Sequence, residues 1–422
     1  MAELGHVVVG VDLDREKIEL LSQGIAPIYE PGLSDLLAKG IASGNLRFTT
    51  DIDEVRDSTV HFVGVGTPQR PDGAADLRAV DGAFAALTAR VKPGDLVVGK
   101  STVPVGTASR LAPALEAKGA TLAWNPEFLR EGFALRDTFS PDRIVYGIAD
   151  GDEVSVAALD AVYADLEPRD GFEEIPRVVT DFATAELVKV SANSFLATKI
   201  SFINAMAEIA EAAGADVVQL SNAIGYDTRI GHRFLRSGIG FGGGCLPKDI
   251  RGFMASASEL GVGESLGFLR EVDAINMRRR DRVVQMAVDA VGGDPIGRRI
   301  AVLGLAFKPD SDDVRDSPAL HVASELARRG ALVVATDPHA NETARALNDD
   351  LRYVDDALEA IDGADVVLVL TEWAQFRELD ATVAAQRVGS AIVIDGRNCL
   401  DPTAWRDAGW QYQALGRPAG AL

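Results

Sequence analysis

The fold of this chain is constrained most by an alternation of short β-branched runs with amphipathic stretches, which occurs at both ends of the sequence. The β-branched runs predict strands, and apolar residues at helical spacing predict the helices between them. The predicted strands are residues 7–12, 59–65, 96–99, 121–124 and 143–147 in the first third, and 299–305, 331–337, 364–371 and 391–395 near the C-terminus. Because such alternation is typical of a parallel sheet covered by helices, we predict an α/β protein with two doubly wound, Rossmann-like domains.

The middle of the chain has a different, helical pattern. Residues 184–214 contain no proline and no interior glycine, and a helix of this length would span roughly 45 Å. Its apolar residues occur on more than one face, so we expect it to cross between domains or to pack against a second copy of the chain. A second helical zone, 264–291, ends at the breaker Gly-Gly-Asp-Pro. These features divide the chain into segments 1–180, 181–293 and 294–422.

Charge and composition exclude several classes of protein. The 422 residues include 63 acidic and 42 basic ones, a net charge of −21, which disfavours binding to nucleic acid or to anionic membranes. No apolar run approaches the ~18–20 residues that span a bilayer, and the N-terminus resembles no signal peptide. The two cysteines cannot form a disulfide framework, and the five histidines lack metal-ligand spacing. We therefore predict a reduced, cytoplasmic protein without a metal.

Asp12 closes the predicted strand VVVGVD, where a dinucleotide-binding domain places the acid that binds the adenosine ribose. Such an acid should follow a G-x-G-x-x-G turn by about 20 residues. Only 11 residues precede Asp12, and none forms that turn. We therefore expect roughly 20 residues, with the first strand and the phosphate-binding glycines, to be absent from this chain. The alternative is that Asp12 caps an ordinary strand.

The richest stretch for chemistry is Gly238–Asp249, with the sequence GIGFGGGCLPKD. Its five glycines let the backbone approach a ligand closely, and Cys245 follows them directly. A thiol is inert in a core but nucleophilic as a thiolate near cations. The alternative is a flexible hinge with a buried cysteine, but Lys248 and Asp249 one turn later favour a reactive thiol.

The segment GFGGGCLPKD resembles the active-site signature of the UDP-glucose dehydrogenase family, whose members oxidise an alcohol of a nucleotide sugar twice to a carboxylate. Nearly the whole chain shares this resemblance. The other similar stretches are VGVDLD, YEPGL, VGTPQ, KSTVPVGT, NPEFLREG, PDRIVYG, ELVKVSANSFLATKISFINAMAEI, DTRIG, LGLAFKPDSDDVRDSP and DGRN. Two departures are the absent N-terminal glycine turn and Gly244, which stands where the family commonly has serine.

The resemblance implies an NAD-dependent, four-electron oxidation of UDP-glucose to UDP-glucuronate. Cys245 would attack the aldehyde intermediate and form a thiohemiacetal, which the second oxidation turns into a thioester that water hydrolyses. Lys189 and Asn193 lie on one helix face and would stabilise an oxyanion, although Lys189 could also be a solvated helix lysine. The remaining implied catalytic residues are Asp249 as a proton-handling partner, Glu127 in thioester hydrolysis, and Thr102, which positions water.

The resemblance also implies binding residues and assigns roles to the three segments: NAD binding for 1–180, dimerisation for 181–293 and UDP-sugar binding for 294–422. The implied NAD contacts are Asp12, Lys17, Thr67, Thr102, Glu131 and Arg315. The implied UDP-sugar contacts are Phe128, Leu129, Arg130, Lys189, Asn193, Phe241, Gly242, Lys248, Phe307, Lys308 and Arg397, with Arg229 reaching the site of a neighbouring subunit. We accordingly expect a homodimer or a larger homo-oligomer, and we expect Cys399 only to pack.

Three alternatives remain open at this point. The same chemistry could act on GDP-mannose or UDP-N-acetylmannosamine. The missing glycine turn would also suit a truncated, catalytically silent protein that binds a nucleotide sugar. A two-domain hydroxyacid or hydroxyacyl dehydrogenase shares the dinucleotide domain and the helical middle, but it has no use for Cys245 or for a second nucleotide domain.

Overall fold

The computed structural model describes residues 1–418, and the chain divides into two compact units. The first unit comprises residues 1–192 and 251–263, and the second comprises residues 193–250 and the chain from 264 onward. Among residues 1–418, no helix combines the length and the apolar character that a membrane span requires.

The first unit contains seven strands in two sheets. These strands are β1 (Val8–Val11), β2 (Leu46–Thr49), β3 (Val60–Val63), β4 (Leu96–Gly99), β5 (Thr121–Trp124), β6 (Ile144–Gly147) and β7 (Arg177–Thr180). β1 pairs with β2 in parallel, and the other five form a separate sheet in the order β3-β4-β5-β6-β7. Within that sheet only the β5–β6 contact is antiparallel, through the pair Trp124 and Gly147.

The first unit is a Rossmann-like α/β domain built mainly of parallel strands, as predicted, although its strands lie in two sheets. Among residues 1–418, no strand pairs with both β1 and β3, so the ladder of hydrogen bonds is interrupted between them. All four residues of β1 are partly exposed, whereas those of β4 are buried. The predicted strand positions themselves are confirmed, and the pattern missed β2 and β7, which are short and partly exposed.

Helices connect and cover these strands. They are α1 (Arg15–Ser22), α2 (Leu33–Ala42), α3 (Arg78–Thr88), α4 (Thr107–Glu116), α5 (Ala134–Phe139) and α6 (Glu153–Val162), with short 3-10 turns at Ala2–Leu4 and Ile52–Asp57. The core of this unit lies between β3–β5 and helices α3 and α4, where the Trp124 indole stacks on the Phe84 ring. A side chain on Gly99 would overlap the Trp124 ring, which explains glycine at the end of β4.

The predicted long helix is confirmed as α7 (Phe182–Ala213), a continuous helix of 32 residues. The division between the two units falls inside it, after Ala192. It is followed by α8 (Val217–Gly225), α9 (Leu246–Glu259), a 3-10 turn at Gly263–Leu266, and α10 (Gly267–Ala290), which matches the second helical zone.

The residues of the second unit up to 418 form one six-stranded sheet. Its strands are β8 (Arg299–Leu303), β9 (Leu332–Thr336), β10 (Arg352–Tyr353), β11 (Val366–Val369), β12 (Ile392–Asp395) and β13 (Gln411–Ala414). They are all parallel and follow the order β10-β9-β8-β11-β12-β13. Renumbered within the sheet, this is the order 3-2-1-4-5-6 of the Rossmann fold, so the predicted architecture is confirmed here.

Short helices cover this sheet, and its central strands β8 and β11 are buried except for Arg299 at the start of β8. The helices are α11 (Pro318–Arg328), α12 (Asn341–Leu347), α13 (Ala357–Ile361), α14 (Ala374–Arg377), α15 (Ala381–Ala385) and α16 (Pro402–Asp407). Each residue of β11 is buried, as continuous apolar strands with helices on both faces require. The connection between β8 and α11 and the one after β12 leave the carboxyl edge of the sheet, where ligands bind in such folds.

Candidate active site

Asp12 lies at the end of β1 with a partly exposed carboxylate. It accepts hydrogen bonds from the backbone N–H of Asp14 and from Nζ of Lys17. Partial burial by itself would raise the pKa of the Asp12 carboxyl, but these hydrogen bonds outweigh it and hold the pKa below its ordinary value. The structure therefore keeps Asp12 ionised and open to a ligand, and it places the predicted cofactor residue Lys17 beside it.

Thr67 and Thr102 meet at the carboxyl end of the β3–β7 sheet. The Thr67 hydroxyl donates to the backbone carbonyl of Thr102 at 2.9 Å. The loop that carries Thr102 is held by Glu186 of α7, whose carboxylate accepts the N–H groups of Gly106 and Ala108 at 2.7 Å each. Burial raises the pKa of this Glu186 carboxyl. The role of Glu186 is not visible in the sequence, because a helix glutamate carries no signal of a contact with a distant backbone.

Glu127, Phe128 and Lys189 are brought together in the first unit. Nζ of Lys189 lies 3.3 Å from one carboxylate oxygen of Glu127 and 5.6 Å from the centre of the Phe128 ring. The other Glu127 oxygen accepts the N–H of Leu129 at 2.6 Å. Lys189 is buried, so its interpretation as a solvated helix lysine is wrong. A buried ammonium beside a carboxylate can exchange a proton or stabilise an oxyanion.

The loop that contains Arg130 and Glu131 is fixed by two buried carboxylates. Glu30 accepts the N–H groups of Gly132 and Ala134 at 2.7 Å each. Asp137 accepts from the backbone N–H of Arg130 and from two nitrogens of its guanidinium, at 2.6–3.0 Å. The hydrogen bond to Asp137 raises the pKa of Arg130. The predicted substrate residue Arg130 is therefore already an ion-pair partner inside the loop.

Lys100 is a further feature of the first unit that sequence analysis did not single out, although it begins the quoted stretch KSTVPVGT. Its Nζ donates to Oδ1 of Asn125 at 2.9 Å, and the Tyr163 hydroxyl donates to the same oxygen at 2.6 Å. The Phe62 ring lies 5.9 Å from Nζ. Burial among these neutral groups lowers the pKa of Lys100 to about 8.

Cys245 is exposed and immediately precedes α9, whose first turn carries Lys248 and Asp249. Its exposure shows that the alternative of a buried cysteine in a hinge is wrong. Asp249 is buried and accepts hydrogen bonds from Nζ of Lys248 at 2.7 Å and from Nδ2 of Asn193 at 2.6 Å. A helix N-terminus favours the thiolate form of a cysteine in general, and Cys245 occupies such a position directly before α9.

The glycine loop before Cys245 packs closely against the C-terminal sheet. A side chain on Gly242 would overlap the carbonyl oxygen of Asp316, and one on Gly243, where φ is +82°, would lie 2.8 Å from the Phe307 ring. The N–H of Gly243 donates to the Arg315 carbonyl at 2.9 Å. Glycine is therefore required at both positions by close approach, as the run of glycines indicates.

Phe307, Lys308 and Arg397 lie on loops at the carboxyl edge of the C-terminal sheet, as predicted. The Arg397 guanidinium donates to the backbone carbonyls of Leu370, Gly240 and Phe307 at 2.8–2.9 Å. It therefore joins three loops, a role that the sequence pattern did not indicate. Nζ of Lys308 lies 5.3 Å from the Phe307 ring.

The other predicted residues have local partners. The Arg315 side chain pairs with Asp313, and Arg229 pairs with Asp227 and is largely exposed. Cys399 is half-buried, and burial raises the pKa of its thiol, as expected for a packing residue. Within residues 1–418, no three His, Cys, Asp or Glu side chains form a cluster that could hold a metal ion.

Comparison with known proteins agrees with this description. Sequence profiles of the UDP-glucose/GDP-mannose dehydrogenase family match residues 1–167 as the NAD binding domain, 183–278 as the central domain and 301–402 as the UDP binding domain. These domains and the site define an NAD-dependent nucleotide-sugar dehydrogenase. The chain belongs to the UDP-glucose/GDP-mannose dehydrogenase family, which confirms the resemblance, the enzyme class and the cofactor.

Similar proteins cover the chain from end to end. It is 38% identical over 433 residues to UDP-glucose 6-dehydrogenase YwqF of Bacillus subtilis, covering 100% of this chain and 96% of that one. UDP-glucose 6-dehydrogenase of Rhizobium meliloti is 40% identical over 423 residues, with 99% and 95% covered. A UDP-glucose dehydrogenase structure from Pyrobaculum islandicum superimposes with a TM-score of 0.88 at 39% identity, covering 99% and 93%. A UDP-D-ManNAc dehydrogenase structure from Pyrococcus horikoshii has a TM-score of 0.84 at 26% identity, covering 99% and 95%.

The residues of the first unit fit NAD. Asp12 presents an ionised, partly exposed carboxylate at a strand end, which is the group that binds ribose hydroxyls. Thr67 and Thr102 supply hydroxyl and backbone groups at the carboxyl edge of the neighbouring sheet. When bound there, NAD supplies the hydride acceptor for each oxidation.

Proposed function

We propose that this chain oxidises UDP-glucose to UDP-glucuronate in two NAD-dependent steps. The observation that carries the proposal is the exposed Cys245 at the N-terminus of α9, with Lys248 one turn away and Asp249 held by Asn193. Support for the substrate comes from the relatives, several of which are named UDP-glucose 6-dehydrogenase at 38–40% identity over nearly their whole length.

Cys245 makes the second oxidation possible by binding the aldehyde intermediate covalently. An aldehyde carbon is trigonal and carries no hydroxyl group, so it cannot lose hydride as an alcohol does. A free aldehyde could also leave the enzyme. The Cys245 sulfur forms a bond to the aldehyde carbon while the carbonyl oxygen takes a proton, and the product is a thiohemiacetal. Loss of hydride and of the hydroxyl proton converts it to a thioester. Water then adds to the thioester, the C–S bond breaks, and the carboxylate and the thiol of Cys245 are released.

Glu127 and Lys189 of the first unit are suited to proton transfer during the oxidation and the hydrolysis of the thioester. Lys189 is a buried cation 3.3 Å from the Glu127 carboxylate, so a proton can be held at Nζ or passed to Oε1. We propose that Lys189 stabilises developing negative charge on the substrate oxygen and that Glu127 assists water attack on the thioester. Thr102 and Glu131, on loops held by Glu186 and Glu30, would position the water and the nicotinamide.

Asp249 and Asn193 form the corresponding pair in the second unit. The buried Asp249 carboxylate accepts from Asn193 and from Lys248, so it orients both donors beside the cysteine turn. We propose that Asp249 holds the Lys248 side chain in place and directs the Asn193 amide, whose second N–H can bind a substrate oxygen.

UDP binding is proposed for the carboxyl edge of the C-terminal sheet. The strand order reverses between β8 and β11, and such a switch point is where doubly wound sheets bind ligands. Lys308 follows β8, and Arg397 follows β12. Arg397 uses three of its five N–H donors on backbone carbonyls, so the remaining two are those it could direct to the diphosphate. The other proposed contacts of the UDP-sugar are Phe128, Leu129, Arg130, Phe241, Gly242 and Phe307.

A homodimer would cover an apolar stripe on α7. Phe195, Phe202 and Ile209 are 67%, 49% and 58% exposed, and they are spaced seven residues apart, which places them along one face of the helix. Burying such a stripe against a second copy removes it from water. Arg229, which is also exposed, would then be available to the neighbouring subunit's site. Light scattering should give at least twice the monomer mass of 44.7 kDa.

We infer a cytoplasmic location, because Cys245 must stay reduced for this chemistry and the cytoplasm keeps thiols reduced. Staining of a tagged chain in the native cell, with compartment markers, tests this inference.

The function is tested by NADH formation and product analysis for wild type, Cys245→Ser and the matched control Cys399→Ser. Wild type and Cys399→Ser should convert UDP-glucose to UDP-glucuronate, whereas Cys245→Ser should lose more than about 100-fold in acid formation and still bind the nucleotide sugar. Unchanged turnover in Cys245→Ser would refute covalent catalysis. NADH formation with GDP-mannose or UDP-N-acetylmannosamine, and none with UDP-glucose, would overturn the choice of sugar.

A further inference from the structure

The glycine loop is anchored by a buried amide from α10. Asn276, 0% exposed, accepts the N–H of Phe241 on Oδ1 at 2.7 Å and donates from Nδ2 to the Phe241 carbonyl at 2.9 Å. Both sides of the amide therefore bind one residue of the loop, as a neighbouring strand would. This pairing requires a donor and an acceptor side by side in one planar group, which the Asn amide provides.

Arg280 lies one turn further along α10 and reaches the same loop. Its guanidinium, 2% exposed, donates to the Phe241 carbonyl at 3.2 Å, to the Asp316 carbonyl at 3.2 Å and to the Asp316 carboxylate at 2.8 Å. Because Asn276 and Arg280 are separated by four residues, they share a helix face. Together they hold Phe241 and join the loop to the segment that carries Arg315.

Side-chain packing holds this loop at Ile239 and Phe241, which are both buried, and the other five residues from 238 to 244 are glycines. Gly240, with φ at +101°, allows the close approach of Asn276, because a side chain at 240 would overlap Oδ1 of that residue. A further polar anchor is Arg397, which binds the Gly240 carbonyl at 2.9 Å. Hydrogen bonds from buried side chains therefore act together with the backbone bonds of Ile239 and Gly243 in setting the position of the loop.

We propose that Asn276 and Arg280 are positioning residues that place the Cys245 thiol for attack on the aldehyde. They act through the loop backbone, four residues before the cysteine, and no contact of either side chain with substrate is involved. The proposal rests on the proposed function of Cys245. It assigns to two α10 residues a part in the reaction that no sequence motif indicated.

The test compares Asn276→Asp and Arg280→Met with the control Arg279→Met. Aspartate keeps the shape of asparagine but loses the donor and sets a negative charge against the Phe241 carbonyl. Arg279 is as buried as Arg280, with 1% of its side chain exposed, and pairs with Glu208 and Glu211 instead of the loop. It therefore controls for the loss of a buried arginine from the same helix.

Three quantities are measured on variants that retain the wild-type circular dichroism spectrum and melt cooperatively. They are kcat, the KM values for NAD and UDP-glucose, and the rate of Cys245 alkylation by iodoacetamide, quantified by peptide mass spectrometry with Cys399 as an internal reference. We expect kcat to fall by about 100-fold in Asn276→Asp and Arg280→Met, since a shift of about 1 Å at a reacting group has an effect of that size. KM for NAD should stay within about twofold, and the alkylation rate should change at least about threefold.

Arg280→Lys should recover part of kcat, because an ammonium can still bind one of the carbonyls. Equal loss of kcat in Arg279→Met, or wild-type kcat and alkylation in a folded Asn276→Asp, would overturn the proposal. The alkylation measurement needs no sugar. If wild type oxidises no nucleotide sugar, the proposed function fails, and the alkylation rates still show whether Asn276 and Arg280 position the thiol.

Discussion

The N-terminal and C-terminal sheets share an alternating strand and helix pattern but differ in continuity. The C-terminal sheet has six parallel strands in one ladder, and the four residues of its central β11 are all buried. In the first unit, β1 and β2 form a sheet apart from β3–β7, and β1 is only partly buried. Similar local patterns of strands and helices therefore do not by themselves determine whether neighbouring strands pair into one continuous sheet.

The acids that follow the comparable strands β1 and β9 show the same contrast. Asp337, after β9, is buried and accepts hydrogen bonds from four backbone N–H groups and from the Trp373 indole, at 2.8–3.1 Å. Asp12, after β1, is partly exposed and pairs with Lys17. All the observed hydrogen bonds of Asp337 therefore stabilise the C-terminal sheet itself, whereas the partly exposed Asp12 carboxylate is accessible to a ligand.

The largest effect that tests this contrast is expected at Asp337. Asp337→Ala removes the acceptor of five hydrogen bonds and leaves buried donors unpaired, so it should lower the free energy of unfolding of the C-terminal sheet by about 3–5 kcal/mol. Urea unfolding followed by Trp fluorescence measures this change, with Asp12→Ala as the matched control, expected to change stability by less than about 0.5 kcal/mol. Equal destabilisation by the two variants would remove the contrast.

An intermediate effect concerns buried cations. Burial lowers the pKa of Lys100 from 10.5 to about 8, so between these values the folded first unit binds fewer protons than the unfolded chain. Proton binding therefore stabilises the unfolded chain more than the folded one at low pH. The contribution of Lys100 to the free energy of unfolding rises as the pH increases from about 8 to 10.5. Relative to Lys100→Met, wild type should gain about 1–3 kcal/mol of unfolding free energy between pH 7 and pH 10.

Arg280 of the second unit provides the comparison for Lys100. It is buried and pairs with the Asp316 carboxylate at 2.8 Å, so a neighbouring negative charge balances this buried cation. The difference between wild type and Arg280→Met should therefore stay constant from pH 7 to pH 10. If the difference in unfolding free energy between wild type and Lys100→Met were also constant from pH 7 to pH 10, burial would not lower the pKa of Lys100.

The smallest effect is expected for Asp12→Asn. Loss of the negative charge should weaken NAD binding about tenfold, or about 1.4 kcal/mol, because an amide binds ribose hydroxyls less strongly than a carboxylate does. Isothermal calorimetry with NAD measures the change, and Asp14→Asn on the adjoining turn serves as the control. Unchanged affinity would support the alternative that Asp12 caps an ordinary strand.

Much of the fold could be predicted from local pattern. The strands at 96–99 and 121–124 and the long helix over 182–213 follow from β-branched runs and from the absence of helix breakers. The strands β2 and β7 could not, since each is four residues long and only partly buried.

The candidate site shows the same division. Cys245, Lys248 and Asp249 are close in the chain, so one turn of helix brings them together and a sequence pattern can find them. Glu186 and Asn276 were missed, because their carboxylate and amide bind backbone groups 78 to 80 and 35 residues away. A glutamate or asparagine on a helix has the same appearance in a sequence whether it faces water or a distant loop.

The amino-acid sequence alone determined the α/β class, the long helix, the glycine loop and the cysteine that follows it, because each depends on interactions within a few residues of the chain. Only the tertiary structure decided that Asp337 is consumed by the fold while Asp12 stays open, and that Asn276, Arg280 and Arg397 hold the cysteine loop. These outcomes depend on burial, which withdraws polar groups from water and forces each to find a partner across the fold.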